Sequence, residues 1–265
     1  MTDLALLQAL GALCVEAGRA ILDVYDAEAI VVRSKDDRSP VTDADERAEE
    51  ILHAGLAKLF PGVTVIAEEA TSRDGAPAEA PESFLLVDPL DGTREFINRN
   101  GEFTVNVGLI SRGAPVLGCV HAPALGATWI GAVGLGAWKA EAAVREVAAP
   151  AAYRPIAVRP RPAAGLCAVA SRSHSDAETE AFLEKLGVVD RRSAGSSLKF
   201  CLVAEAAADV YPRFGPTMEW DTAAGHAVLA AAGGAVTRPD LTPFDYGKAD
   251  VGFRNGGFVA WGARG

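Results

Sequence analysis

The chain has 265 residues, of which 49% are hydrophobic and 23% charged, enough to bury a sizeable core in one large domain or two modest ones. A formal net charge of −10 argues against a nucleic-acid polymer as partner, because no basic surface dominates; a small anionic substrate stays open, since a bound metal can supply positive charge. Cys14, Cys119, Cys167 and Cys201 lie far apart with no C-x-x-C pair, which argues against a disulfide framework or zinc knuckle and for reduced core thiols.

The N-terminus lacks the basic region of a signal peptide, and its apolar residues read as an amphipathic helix running to about Tyr25. No uninterrupted apolar stretch is long enough to span a bilayer. A cytoplasmic location is expected, with peripheral association at the inner membrane left open. Residues 30–33 read as a short strand, and Thr42 or Asp43 caps a second helix that runs through Lys58 to the Pro61-Gly62 break. Residues 63–67 form a strand ending at Glu68-Glu69, and the Ala-, Pro- and Gly-rich residues 70–83 read as a mobile loop.

The next segment carries the most information. An apolar strand from Phe84 ends at Asp88, turns through Pro89, Leu90 and Asp91, and restarts at Gly92-Thr93 with a helical pattern. Two carboxylates and the Gly92 and Thr93 amides then meet at one helix start, a place suited to hard cations and a phosphate. The plainer reading is an Asp-Pro/Asp-Gly turn capped by Thr93. Residues 104–110 with 115–121, and residues 128–133 with 137–140, read as two hairpins. The glycines between Gly131 and Gly136 lack the order of a nucleotide fingerprint and read as turn chemistry.

A Pro/Ala/Arg-rich stretch, residues 148–164, marks the expected boundary between an N-terminal lobe (1–155) and a C-terminal lobe (156–265). Beyond it, residues 166–170 read as a strand and residues 177–186, 198–208 and 222–232 as helices. Helices, then an antiparallel meander, then alternating strands and helices give an α/β (α+β layered sandwich) fold with a cleft between two lobes.

Glu68, Asp88 and Asp91 end or follow strands, and Asp221 precedes a helix; rigid element ends of this kind gather functional groups. The oxygen-only donor set favours Mg²⁺ over zinc, and Pro89 stiffens the Asp88–Asp91 spacing so that the Leu90 carbonyl can join it. Two such ions can clamp a phosphate, activate a water and steady a leaving oxygen. Asp221 is equally well a plain helix N-cap, and Glu68-Glu69 a solvated strand end.

Glu68-Glu69, Asp88 to Thr93 and Trp220 to Gly225 resemble the signatures of the inositol monophosphatase superfamily of Mg²⁺-dependent, Li⁺-sensitive phosphatases. The segments Ser39 to Thr42, Arg94 to Ile97, Asn100 to Asn106, Ser196 to Glu205 and Tyr211 to Thr217 narrow the likeness to its 3′(2′),5′-bisphosphate nucleotidases. The resemblance implies an inositol-monophosphatase/fructose-bisphosphatase-like fold, with hydrolysis of adenosine 3′,5′-bisphosphate to AMP and phosphate in sulfate assimilation and nucleotide recycling. It implies Glu68, Asp88, the Leu90 carbonyl, Asp91 and Asp221 as ligands to two or three Mg²⁺ ions. Asp37, or its neighbour Asp36, would join Glu68 and Thr93 in catalysis by placing the attacking water, and Asp45 resembles a position near a third, weaker metal.

The Gly92 and Thr93 amides would bind the phosphate. His174, Ser196, Lys199 and Arg213 resemble positions that meet the nucleoside and its second phosphate, with Glu68, Leu90, Asp91 and Asp221 completing the substrate site. Lys199 also reads as a snorkelling surface lysine, and His174 as a helix cap. The alternatives are an inositol-monophosphatase-type sugar phosphatase and, in a different class, a non-catalytic cation-binding module. The implied partner is a small phosphorylated nucleotide; monomer and homodimer both remain open.

Overall fold

The computed structural model describes residues 2–28, 30–34, 40–170 and 177–263. The first helix, α1 (Leu4–Tyr25), begins where the Asp3 carboxylate accepts the Leu6 amide at 2.8 Å. β1 (Val32–Ser34) and β2 (Pro40–Thr42) form a short antiparallel ribbon, so the first strand starts two residues later than residues 30–33 suggested. α2 (Asp43–Leu59) opens with a capping box: Thr42 Oγ1 accepts the Ala44 amide while the Asp45 carboxylate accepts the Thr42 amide at 2.8 Å. By length and composition α1 passes as a membrane span, contrary to the expectation that no stretch would. Half of it is buried inside the fold, against α2 and a sheet, as the apolar stripe of a core helix is.

β3 (Thr64–Ala67), α3 (Glu68–Asp74), β4 (Ser83–Asp91), α4 (Thr93–Ile97), β5 (Thr104–Ser111), β6 (Ala114–Ala122), β7 (Ala127–Ala132), β8 (Gly136–Glu141) and β9 (Arg154–Ile156) follow. Their seven strands form one sheet in chain order, β3 parallel to β4 and the rest antiparallel. Both expected hairpins are present. The loop expected at residues 70–83 starts instead inside a helix, because Glu68 and Glu69 complement a helix N-terminus and the Glu49 carboxylate accepts the Glu69 amide at 2.9 Å. β9 falls within the Pro/Ala/Arg-rich stretch and extends the first sheet.

β10 (Leu166–Ala170), α5 (Ala177–Lys185), β11 (Val188–Ser193), α6 (Leu198–Ala204), β12 (Val210–Arg213), β13 (Thr217–Met218), α7 (Glu219–Ala231), β14 (Ala235–Thr237), β15 (Arg254–Asn255) and β16 (Phe258–Trp261) complete the chain. A second sheet runs in the order β11-β10-β12-β16-β14, while β13 pairs with β15 apart from it. β11 had no sequence signal because it is an exposed edge strand with no buried face. α6 stops at Ala204, short of residue 208, where Ala206 takes a φ of +63° and the next amides turn back to Leu202.

The elements stack in five layers. α1 and α2 cover one face of the first sheet through Leu10, Cys14, Leu52, Val87 and Val107. α7 and α6 lie on its other face and pack on the second sheet, whose far side holds α5 through Leu183. All four cysteines are buried and unpaired. Gly108, Gly118 and Gly131 stand side by side in register across β5, β6 and β7 beneath α7. A Cβ on Gly118 would lie 2.5 Å from the Ala224 carbonyl oxygen, so only glycine lets the alanine-rich helix rest directly on the strands.

Candidate active site

Asp88 and Asp91 lie on one strand rather than across a turn, which corrects the expected geometry. β4 continues to Asp91 through a bulge: Asp88 pairs with Asn106 and Asp91 with Thr104, so β4 carries one residue more than β5. Pro89 suits this position because it has no amide to leave unpaired. The Asp88 carboxylate accepts the Leu90 amide at 3.0 Å, and the Thr93 hydroxyl donates to the Leu90 carbonyl at 3.4 Å. The sharp turn comes next, at Gly92, with a φ of +90°, and delivers Thr93 as the first residue of α4.

Asp221 arrives from the other side. It does not precede α7 but occupies its first turn, where its carboxylate accepts the Met218 amide at 2.8 Å. The N-cap is Met218 rather than Asp221, which as the third residue of α7 reaches back to that residue's amide and also lines the cavity. Glu68 is the first residue of α3, carried there by the end of β3.

These side chains share a cavity of about 350 Å³ lined by Glu68, Asp88, Leu90, Asp91, Thr93 and Asp221. Gly92, Ser196, Lys199 and Arg213 line it too, so every described residue expected at the site lines it except Asp45. Asp36, Asp37 and His174 lie outside the described residues. Asp45 serves the α2 cap, its carboxylate accepting both the amide and the hydroxyl of Thr42 at 2.8 Å.

Burial, followed by the negative charges of Asp91 and Glu68, pushes the Asp221 carboxyl well above the usual carboxylate range. Like charges gathered on Glu68, Asp88, Asp91 and Asp221 call for a hard divalent cation, and this oxygen-only donor set fits Mg²⁺. The donors line the cavity without forming a closed cage: among the described residues no three His, Cys, Asp or Glu side chains are already grouped around one point.

Lys199 is not a surface lysine. It is buried; its Nζ donates to the Ser196 carbonyl at 2.6 Å and lies 5.3 Å from the Tyr211 ring centroid. Burial pushes its ammonium down to about 8, opposed in part by Asp91. Among the described residues, the Arg213 guanidinium makes long contacts, 3.4 Å to the Gly215 carbonyl and 3.5 Å to that of Pro216. The loop carrying Ser196 is docked on the first sheet: the Gly195 amide donates to Glu102 at 2.9 Å, and Ser196 Oγ donates to Asp91 Oδ2 at 2.6 Å. Those contacts hold Ser196 at a φ of +53°, a conformation a serine adopts only when its surroundings impose it.

Two neighbours escaped the sequence reading. Asn106 and Ser197 both reach Asp91 Oδ2, at 3.3 and 3.1 Å. The available signals were a lone amide in the middle of an apolar strand and a second serine beside Ser196.

Residues 5–261 match the inositol monophosphatase family. The chain is 48% identical over 243 residues to the 3′(2′),5′-bisphosphate nucleotidase CysQ of Escherichia coli K12, covering 91% of this chain and 94% of that protein. It is 40% identical over 248 residues to the CysQ nucleotidase of Buchnera aphidicola, covering 92% and 89%. Among solved structures, CysQ from Bacteroides thetaiotaomicron superposes with a TM-score of 0.80 at 37% identity, covering 98% of each chain. An inositol monophosphatase from Anabaena superposes at 0.71 with 26% identity, covering 96% of this chain and 89% of that one.

Proposed function

The chain belongs to the inositol monophosphatase family of metal-dependent phosphatases, and we propose that it removes the 3′-phosphate of adenosine 3′,5′-bisphosphate, giving AMP and phosphate. The observation that carries this reading is one cavity lined both by the acidic set, Glu68, Asp88, Asp91 and Asp221, with Glu95 beside it, and by the cationic side chains Lys199 and Arg213, with Arg94 beside them. The acids, with the Leu90 carbonyl, hold Mg²⁺, two ions or three. When bound, Mg²⁺ supplies charge to the phosphate oxygens and the leaving oxygen and lowers the pKa of water.

The chain's own groups do the rest. The Thr93 hydroxyl, with Glu68 and Asp37, orients the attacking water. The Gly92 and Thr93 amides receive the phosphate. Lys199 Nζ and the weakly engaged Arg213 guanidinium meet the second phosphate, which an inositol monophosphate lacks. His174 and Ser196 complete the nucleoside side of the site. We assign the enzyme to the cytoplasm and expect inhibition by Li⁺.

Phosphate release from adenosine 3′,5′-bisphosphate, inositol 1-phosphate and fructose 1,6-bisphosphate under Mg²⁺ tests the reading. The bisphosphate nucleotide should show the highest kcat/KM, and Lys199→Ala should raise KM chiefly for it. Preference for either sugar phosphate would overturn the substrate assignment.

A further inference from the structure

We infer that Asn106 and Ser197 are positioning residues that fix the Asp91 carboxylate against the start of α7, and so set the spacing between Asp91 and Asp221. The inference rests on the reading of those two acids as metal ligands.

Asn106 is fully buried at the middle of β5, opposite Asp88 and beside the bulge. Its neighbours Val105 and Val107 face α1 and α2, so by strand alternation its amide faces α7. Nδ2 donates to Asp91 Oδ2 at 3.3 Å and to Ser197 Oγ at 3.0 Å. Ser197, also buried, shares its one hydroxyl hydrogen between Asp91 Oδ2 at 3.1 Å and the Asp221 carbonyl at 2.8 Å. One hydroxyl therefore links a carboxylate of the first sheet to the backbone of the helix that carries Asp221.

The remaining atom of the amide shows what the residue is for. Asn106 Oδ1 is buried with no hydrogen-bond partner among the described residues, an arrangement that folding alone penalises and an apolar residue would avoid. Flipping the amide would turn that oxygen onto the Asp91 carboxylate. The side chain is thus explained by its two donors, one spent on Asp91 and the other on Ser197, which itself donates to Asp91. Among the described residues the donors to Asp91, Ser196 included, all go to Oδ2, which leaves Oδ1 as the oxygen to serve a cation.

The test uses the full chain and Mn²⁺ as the probe, followed by electron paramagnetic resonance, alongside steady-state kinetics and thermal unfolding in EDTA. Asn106→Leu and Ser197→Ala should each weaken Mn²⁺ binding by on the order of tenfold. Each should lower kcat while KM for the nucleotide stays within about twofold. The double variant should be little worse than the weaker single one, because both residues act on the same oxygen. Should Asn106→Leu fail to fold, Ser197→Ala against Ser197→Thr carries the test, since threonine keeps the hydroxyl and should restore binding. Variants that match the parent in Mn²⁺ affinity, or that lose thermal stability with unchanged affinity, would overturn the inference. A parent that neither binds Mn²⁺ nor releases phosphate would overturn the reading of the site itself.

Discussion

The Glu49 carboxylate on α2 accepts the Glu69 amide at 2.9 Å and so holds the start of α3, one residue from Glu68. A carboxylate outside the cavity thereby fixes one inside it. Glu49→Ala should destabilise the protein by about 1 kcal/mol through the lost cap. It should lower phosphate release by on the order of tenfold, while Glu49→Gln, which keeps an acceptor, retains most activity. Thermal unfolding and kcat on the same preparations check both.

Lys199 gives the reaction an alkaline limit. Its ammonium, pushed down to about 8 by burial, is charged below that pH and neutral above it. KM for the bisphosphate nucleotide should be flat below pH 8 and rise roughly tenfold per unit above it. Lys199→Arg should remove the rise, because arginine stays charged. A parental profile that remains flat to pH 10 would show that Lys199 meets no phosphate.

Asp221 trades stability for function. Its folded carboxyl titrates well above the unfolded one, so the group opposes folding once the pH rises past the ordinary carboxylate range. Asp221→Asn keeps an acceptor for the Met218 amide and removes the charge. In EDTA its Tm should exceed the parent's, by about 2–4 °C for each ~1 kcal/mol relieved. Saturating Mg²⁺ should reverse the order, and the variant should release no phosphate.

Acid acts through buried histidines that do not line the cavity. Burial lowers the His121 ring to about 4, with its Nδ1 held at 2.9 Å from the Thr128 hydroxyl. Between pH 6.5 and 4 the unfolded chain takes up a proton that the folded chain refuses. His121 therefore contributes a loss of stability as the pH falls across that window, at most ~3 kcal/mol of it. Urea midpoints at pH 7, 5.5 and 4 should show the slope, and His121→Gln should reduce it, the remainder belonging to His226, whose ring burial lowers to about 3.

Gly118→Val places a Cβ 2.5 Å from the Ala224 carbonyl oxygen and 2.9 Å from the Ala227 Cβ. Lifting α7 from the sheet should cost about 1–3 kcal/mol in urea denaturation, and activity should fall further as Asp221 moves away from Asp91.

Much of this was legible in the sequence because the signals were local. α1, the α2 cap and both hairpins follow from apolar period, capping residues and turn glycines. The acid set is legible at Asp88, Asp91 and Asp221 because each stands at a break in pattern. Nothing local announces the bulge, since it exists only in the pairing of β4 with β5. β11 stayed silent because an exposed edge strand needs no apolar alternation. Asn106 and Ser197 were missed for the same reason as the bulge: their meaning lies in where Asp91 ends up, and two distant segments decide that.

The glycine row beneath α7 also bears on how the protein is made. The first sheet is complete once β9 has been synthesised, yet one of its faces waits for a helix about a hundred residues downstream of Gly118, a long-range contact of the kind that slows folding. Until α7 emerges, that face is a bare apolar surface on a growing chain. A fragment ending at residue 155 would keep every strand but β9's last residue and still lack the cover for its core. The nascent protein is most exposed to aggregation in the interval before the helix that carries Asp221 arrives.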